Sequence, residues 1–363
     1  MVASLKMKTK TAALLALCAL LATLSPLAAA QQEKLRNVVI LATGGTIAGT
    51  AAAATQVTGY TAAKVPVEQL INAVPDLKKV ANVRGEQVAQ VASESMTNDV
   101  WLKLAKRVNV LLAQADVDGI VVTHGTDTLE ETGYFLNLVV RSEKPVVLVG
   151  AMRPSTAMSA DGPFNIYNAV SIASSKESIN RGVLIALNDQ ISGARDVTKT
   201  NTMTLDTFHS PDFGLVGYVV GGQPAFYRAS TRKHTAQTEF DVSSLETLPM
   251  VEIVYGYANM NRVALDAFVA AGARGIIHAG VGDGSLAAQV KPALVETRKK
   301  GVIIVRSSRT GGGPVVRNGE ANDDELDFVV SDTLNPQKAR VLLMLALTRT
   351  ANTKEIQRMF YTY

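Results

Sequence analysis

Short apolar runs that end in glycine-rich turns, alternating with helix-patterned stretches, restrict this chain more than any other feature. Val38-Val39-Ile40-Leu41 runs into Thr43-Gly44-Gly45-Thr46-Ile47, and Ile120-Val121-Val122 into Thr123-His124-Gly125-Thr126-Asp127-Thr128. An apolar run without polar alternation is the pattern of a strand buried on both faces, as in a parallel sheet. Between them Asn98 reads as the N-cap of a helix whose Trp101, Leu104, Val108 and Leu111 share one face. A strand over 119–122 follows, then a helix over about 129–140 and strands over 145–149 and 182–187. This alternation predicts a doubly wound, mostly parallel α/β sheet over residues 31–228.

Residues 229–249 are polar, lack clear periodicity and read as a linker. The alternation resumes over 250–363, which predicts a second, smaller parallel α/β domain. Its expected elements are strands at 251–255, 275–278 and 302–305 and helices at 264–271 and 287–300. A last helix is opened by Asn335 and Pro336, a capping residue followed by proline at the first helical position. Two domains suit the length, because the 333 residues after Ala30 exceed the usual size of one core.

Residues 1–30 read as a cleavable signal peptide. Lys6, Lys8 and Lys10 precede an apolar stretch, Ser25-Pro26 breaks it, and Ala28-Ala29-Ala30 offers a small-residue cleavage site. The stretch is short for a membrane span. Cys18 makes a poor lipid anchor, since bulky Leu17 stands where a small residue is wanted. The chain is therefore expected to be exported, with no membrane partner. The whole chain carries 36 Lys+Arg against 32 Asp+Glu, a net +4. Three of those cations belong to the leader, so the remainder stands at 33 against 32, or +1. That near-neutral balance offers no electrostatic case for nucleic acid. Cys18 is the only cysteine, so the exported part must be held by its core rather than by disulfides.

In an open α/β sheet, groups at the carboxyl ends of strands line the ligand crevice. Thr46 and Thr126 both stand there, and Asp127 adds a carboxylate to the second turn. Glycines after a strand are also ordinary turn chemistry, so the first segment alone does not separate a site from a turn. No Lys-Ser/Thr pair follows at P-loop spacing. His124 precedes the turn and reads as a structural, hydrogen-bonded histidine. His209, His234 and His278 show no ligand spacing, so no metal site is expected. A threonine hydroxyl needs a proton acceptor. Lysine is the known substitute for histidine, and Lys199 stands in a polar stretch after the 182–187 strand. The small-residue loop over 49–59, ending at Tyr60, suits either a lid or a mobile surface loop.

Taken together, these segments resemble the bacterial periplasmic (type II) L-asparaginases and, within them, the glutaminase-asparaginases. The resemblance is carried by Ala42-Thr43-Gly44-Gly45-Thr46-Ile47-Ala48-Gly49 and by Thr123-His124-Gly125-Thr126-Asp127-Thr128-Leu129-Glu130-Glu131-Thr132. Gly150-Ala151-Met152-Arg153-Pro154, Ser159-Ala160-Asp161-Gly162-Pro163-Phe164-Asn165, Arg195-Asp196-Val197-Thr198-Lys199-Thr200-Asn201 and Thr333-Leu334-Asn335-Pro336-Gln337-Lys338-Ala339-Arg340 match in order. It implies the two-domain asparaginase-like fold and hydrolysis of the side-chain amide of L-asparagine, with L-glutamine as a second substrate.

By that likeness Thr46 is the nucleophile, Tyr60 helps accept its proton, and Glu320 stands nearby in the hydrogen-bond network. Thr126, Asp127 and Lys199 form a second triad, and backbone amides at the Gly125–Thr126 turn would supply an oxyanion hole. Ser93, Glu94 and Asp127 would hold the carboxylate and ammonium of the substrate. Glu94 stands where asparagine-selective members often have glutamine. Asp283 and Ser285 replace asparagines of some relatives, in a segment that the family sets beside a neighbouring subunit's site. A homotetramer is implied, and no cofactor or metal. The competing readings are an exported amino-acid-binding protein without turnover, and a cytoplasmic asparaginase or amidotransferase subunit of the same fold. The leader speaks against the last two, and Thr46, Tyr60, Thr126 and Lys199 together against the first.

Overall fold

The first strand, β1 (Arg36–Gly44), is buried on both faces from Val38 onward, as its unbroken apolar run requires. The computed structural model describes residues 34–363, so the leader expected over residues 1–30 lies outside the described residues. Residues Leu35–Tyr363 form one unit. β1 pairs in parallel with β2 (Ala81–Val91) on one side and β3 (Gly119–Thr123) on the other. β4 (Val146–Val149) and β5 (Val183–Leu187) continue the parallel order. The sheet then turns antiparallel through β6 (Gln190–Gly193), while β7 (Thr198–Lys199) and β8 (Phe208–His209) form a separate two-stranded ribbon. β9 (Gly217–Val220) and β10 (Gln223–Phe226) complete a sheet of order β10-β9-β6-β5-β4-β3-β1-β2.

The second sheet is wholly parallel, in the order β11 (Val251–Tyr255), β12 (Gly275–Gly280), β13 (Ile303–Ser308), β14 (Val329–Val330). Both faces of each sheet are covered. Val39 and Leu41 face a core that continues beneath the Pro336–Leu347 helix to Val251, Ile277 and Ile303 of the second sheet. Val38, Ile40 and Ala42 face the opposite side, where the Gly162–Ser174 helix supplies Ile166, Ala169 and Ile172. The alternation of neighbours along β1 between two cores is the period-2 geometry of a strand.

The Asn98–Leu112 helix buries Trp101, Leu104, Val108 and Leu111, and each of these contributes about 1.5–3 kcal/mol. Its cap is Thr97, not Asn98: the Thr97 hydroxyl accepts from the Val100 N–H at 3.3 Å, and Asn98 is already helical. Asn335 does cap its helix, accepting from Lys338 N at 3.1 Å with Pro336 at the first position. The helix expected from 287 begins at Lys291, because Pro292 can occupy only the first turn. Edge strand β2 carries no apolar run, since much of it is exposed or half-buried. The aperiodic 229–249 stretch is packed all the same, with Phe240 and Val242 buried and Phe240 against the Tyr363 ring.

β13 runs past the apolar residues through Arg306, which is fully buried. The guanidinium makes a bidentate pair with Asp323 at 2.7 and 2.8 Å. It also donates to the carbonyls of Asp283, Gly284 and Val316 at 3.0–3.1 Å. A buried charge survives when it is paired and its remaining donors are used, which is how a strand can carry an arginine in its core.

Candidate active site

β2 lies to one side of β1 and β3 to the other, so the connections diverge between β1 and β3. A crevice opens at the carboxyl ends of two strands at such a switch point. Ala42 pairs with Thr123 in the register of β1 and β3, which sets the two glycine turns level with each other. The Thr43 hydroxyl donates to Thr123 O at 2.8 Å. The turns approach so closely that a Cβ on Gly45 would stand 2.2 Å from Gly125 N. Gly45 also holds φ 82° and ψ −172°, a conformation open to glycine. Thr46 and Thr126 follow these two glycines directly.

Both threonines line a cleft of about 440 Å³, together with Tyr60, Ser93, Glu94, Asp127 and Lys199. The volume lies within the usual range for small-ligand sites. Thr46 Oγ1 and Tyr60 Oη are 2.7 Å apart, so a phenolic oxygen stands ready to exchange a proton with the hydroxyl. Tyr60 ends a loop closed at its base by the Thr50–Thr61 bridge and tied to Thr156 and Met158. Val57, Thr58 and Gly59 of that loop form one wall of the cleft, which favours the lid over the surface loop.

On the other side Lys199 Nζ donates to Thr126 Oγ1 at 2.9 Å and to Asp127 Oδ1 at 2.6 Å. A lysine that donates to the threonine oxygen leaves the hydroxyl proton to point elsewhere. Ser93 is buried, and its hydroxyl accepts from Asp127 N at 3.2 Å while Thr128 donates to its carbonyl at 2.8 Å. These bonds staple the Ser93–Ser95 turn to the Thr126 turn. Glu94 is exposed, and its carboxylate has no partner among the described residues.

His124 is fully buried behind the turn and belongs to a chain of hydrogen bonds that leads away from the cleft. Gly125 O lies 2.7 Å from Nδ1 and can only accept, so Nδ1 carries the proton. Nε2 then accepts from Thr132 Oγ1 at 2.9 Å, and Thr132 in turn accepts from Trp101 Nε1 at 2.7 Å. Burial pulls the imidazole down to about 4, against the bond to Gly125, which keeps it neutral. The ring orients the Gly125 carbonyl and is placed as a structural group.

Ser285 and Glu320 do not line this cleft. They stand on adjoining loops beyond the carboxyl ends of β12 and β13. Asp283 accepts from Val316 N at 2.7 Å and Arg306 braces both loops. Glu320 is exposed and, among the described residues, makes no hydrogen bond to Tyr60. The cleft also holds Met152, Arg153, Thr202 and Met203, which sequence reasoning had not selected. Met152 and Arg153 lie inside the 150–154 segment, and Thr202 and Met203 directly follow the 195–201 segment, which is their one sequence signal. Among the described residues no group of three or more His, Cys, Asp or Glu side chains could hold a metal ion, and no helix is long and apolar enough to cross a membrane.

A family model described as asparaginase, N-terminal, matches residues 37–232, and one described as glutaminase/asparaginase C-terminal domain matches residues 250–360. A glutaminase-asparaginase of Pseudomonas fluorescens biotype A is 54% identical over 346 residues, covering 94% of this chain and 95% of the relative. L-asparaginase 2 of Escherichia coli (strain K12) is 54% identical over 329 residues, covering 91% and 94%. The crystal structure of a probable cytoplasmic L-asparaginase from Campylobacter jejuni superposes with a TM-score of 0.88 at 49% identity, covering 90% of this chain and all of that one.

Proposed function

Because the chain belongs to the asparaginase family, we propose that it hydrolyses the side-chain amide of L-asparagine to L-aspartate and ammonia, and that of L-glutamine to L-glutamate. The observation that carries this reading is the pair of threonine hydroxyls facing one cleft, each with its own proton-handling partner. Thr46 Oγ1 attacks the amide carbon and gives its proton towards Tyr60. That proton passes on to the amide nitrogen as the carbon–nitrogen bond breaks, so the nitrogen leaves as ammonia and an acyl ester remains on Thr46. Thr126, polarised by Lys199 and Asp127, directs water to that ester, which releases the acid and restores the hydroxyl. Backbone amides at the Gly125–Thr126 turn stabilise the oxyanion. Ser93 receives the α-carboxylate, and Glu94 with Asp127 receives the ammonium through charge-assisted bonds.

Ser285 and Glu320 act on a neighbouring subunit's cleft, in a homotetramer. Their position on braced loops outside their own chain's cleft supports that reading. The leader directs the chain to the periplasm.

Thr46→Ala tests the core of the scheme. The exchange should cost about 1 kcal/mol of stability, while ammonia release from both amides falls by several orders of magnitude. Retention of more than about a tenth of the activity would remove Thr46 from the nucleophile's role. A pure wild-type protein that binds asparagine and releases no ammonia would instead be a binding protein.

A further inference from the structure

Lys199 sits on β7, a two-residue strand outside the main sheet that pairs with β8 alone. So short a ribbon is weak support for a side chain that must meet Thr126 within a few tenths of an ångström. Its main chain is held instead from behind the cleft. Glu130, buried in the first turn of the Leu129–Val139 helix, accepts the Lys199 backbone N–H on Oε2 at 3.1 Å. The other oxygen, Oε1, accepts from Gln337 Nε2 and, at 3.4 Å, from Asn335 Nδ2. Both belong to the start of the Pro336–Leu347 helix, more than 130 residues later in the chain. The next residue of that helix, Lys338, is fully buried and donates to the carbonyls of Arg195, at 2.9 Å, and Val197. The 195–199 segment is thus gripped at both ends by one helical turn and one carboxylate.

We infer that Glu130 is a positioning residue for Lys199, and that the Asn335–Lys338 turn is the other half of the same clamp. The inference rests on the proposed role of Lys199 in the second triad. The chemistry of the clamp needs a group that only accepts: among the described residues, the hydrogen-bond partners of the Glu130 carboxylate are N–H donors, from Lys199, Gln337 and Asn335. An amide at this position has one accepting oxygen: turned to Lys199 it sets its NH2 against Asn335 Nδ2, whose Oδ1 is held by the Lys338 N–H, even where Gln337 reverses its own amide, and turned the other way it opposes the Lys199 N–H. Lys338 supplies the balancing charge. Burial draws its ammonium down to about 8, with Glu130 the foremost group acting in the opposite direction.

The test is a cycle on the full-length protein. Glu130→Gln should lower kcat on both amides by about ten- to a hundredfold with KM changed by less than about threefold, since a displacement of about an ångström carries that penalty. In a Lys199→Met background the same exchange should leave the residual rate unchanged, because the clamp acts through that lysine. The double exchange Glu130→Gln with Gln337→Glu restores matched donors and acceptors and should recover most of the lost kcat. A Glu130→Gln protein with wild-type kcat would overturn the inference. So would an equal fall in the Lys199→Met background, which marks general damage. If Glu130→Gln does not fold, Gln337→Met removes one arm of the clamp and should give the same kcat-selective loss; wild-type kcat there overturns the inference as well. Wild-type turnover in Lys199→Met alone would instead refute the second triad, and the clamp with it.

Discussion

Gly45→Ala puts the whole geometry of the cleft under one methyl group. The added Cβ would lie 2.2 Å from Gly125 N and 2.3 Å from Gly125 Cα, both backbone atoms with no side-chain freedom to yield. Ordinary contact begins at 3.4 Å, so the two turns must part by about 1.2 Å. Alanine must also hold φ 82° and ψ −172°, which costs about 1–3 kcal/mol. The parting falls on Thr46 and Thr126, the residues next in sequence to the two glycines. A shift of about an ångström in reacting groups is worth about 10²-fold. Gly301→Ala is the control, since φ is 92° there and nothing lies within 4 Å of the added Cβ. It should lose about 1–2 kcal/mol with kcat/KM intact. The assay is ammonia release from asparagine, with thermal unfolding of both variants. If Gly45→Ala keeps kcat/KM within about threefold of the Gly301→Ala control, the turns do not set the reacting distance.

Two further outcomes are expected. Glu94→Gln should lower kcat/KM on glutamine more than on asparagine, by about 1 kcal/mol in the ratio, because the longer substrate needs a carboxylate that accepts its ammonium from more than one direction; an unchanged ratio, or one shifted towards glutamine, rejects this role. His278 is buried with no hydrogen-bond partner on either ring nitrogen, and burial, then the charge of Arg306, pulls it down to about 4. The unfolded chain therefore binds the extra proton between pH 6.5 and about 4, and the fold loses stability as pH falls through that window. The loss reaches about 3 kcal/mol at pH 4, so His278→Leu should flatten the acid limb of the urea-denaturation stability curve by about that amount. Parallel curves for the two proteins would show that His278 does not carry this dependence.

The switch-point cleft explains how so little machinery is displayed. β1 and β3 need only their registers and two glycines to bring the hydroxyls together, and the supporting hydrogen bonds run backward into the fold. His124, Ser93 and Glu130 are each buried at 4% exposure or less, and each bonds to the turns or to the Lys199 strand. Polar groups so placed keep their geometry because an unmade bond in the interior costs about 1–3 kcal/mol.

The sequence alone determined the central parallel strands and their order of appearance, since strands buried on both faces must be continuously apolar. It also carried Thr46, Thr126 and Asp127, because a turn after a strand is a local structure, whereas Ser93, Glu94, Tyr60 and Lys199 took their roles from the family resemblance of their segments. Tertiary structure decided what local pattern cannot hold. β2 went unread because an edge strand is half-exposed, and β13 was cut short at Arg306 because its buried charge is satisfied only by Asp323 and three distant carbonyls. The separation of Ser285 and Glu320 from their own chain's cleft, and the grip of Asn335, Gln337 and Lys338 on the Lys199 segment, have the same origin. Those contacts join residues more than 130 positions apart, and only the packing of the second sheet against the first brings them within reach.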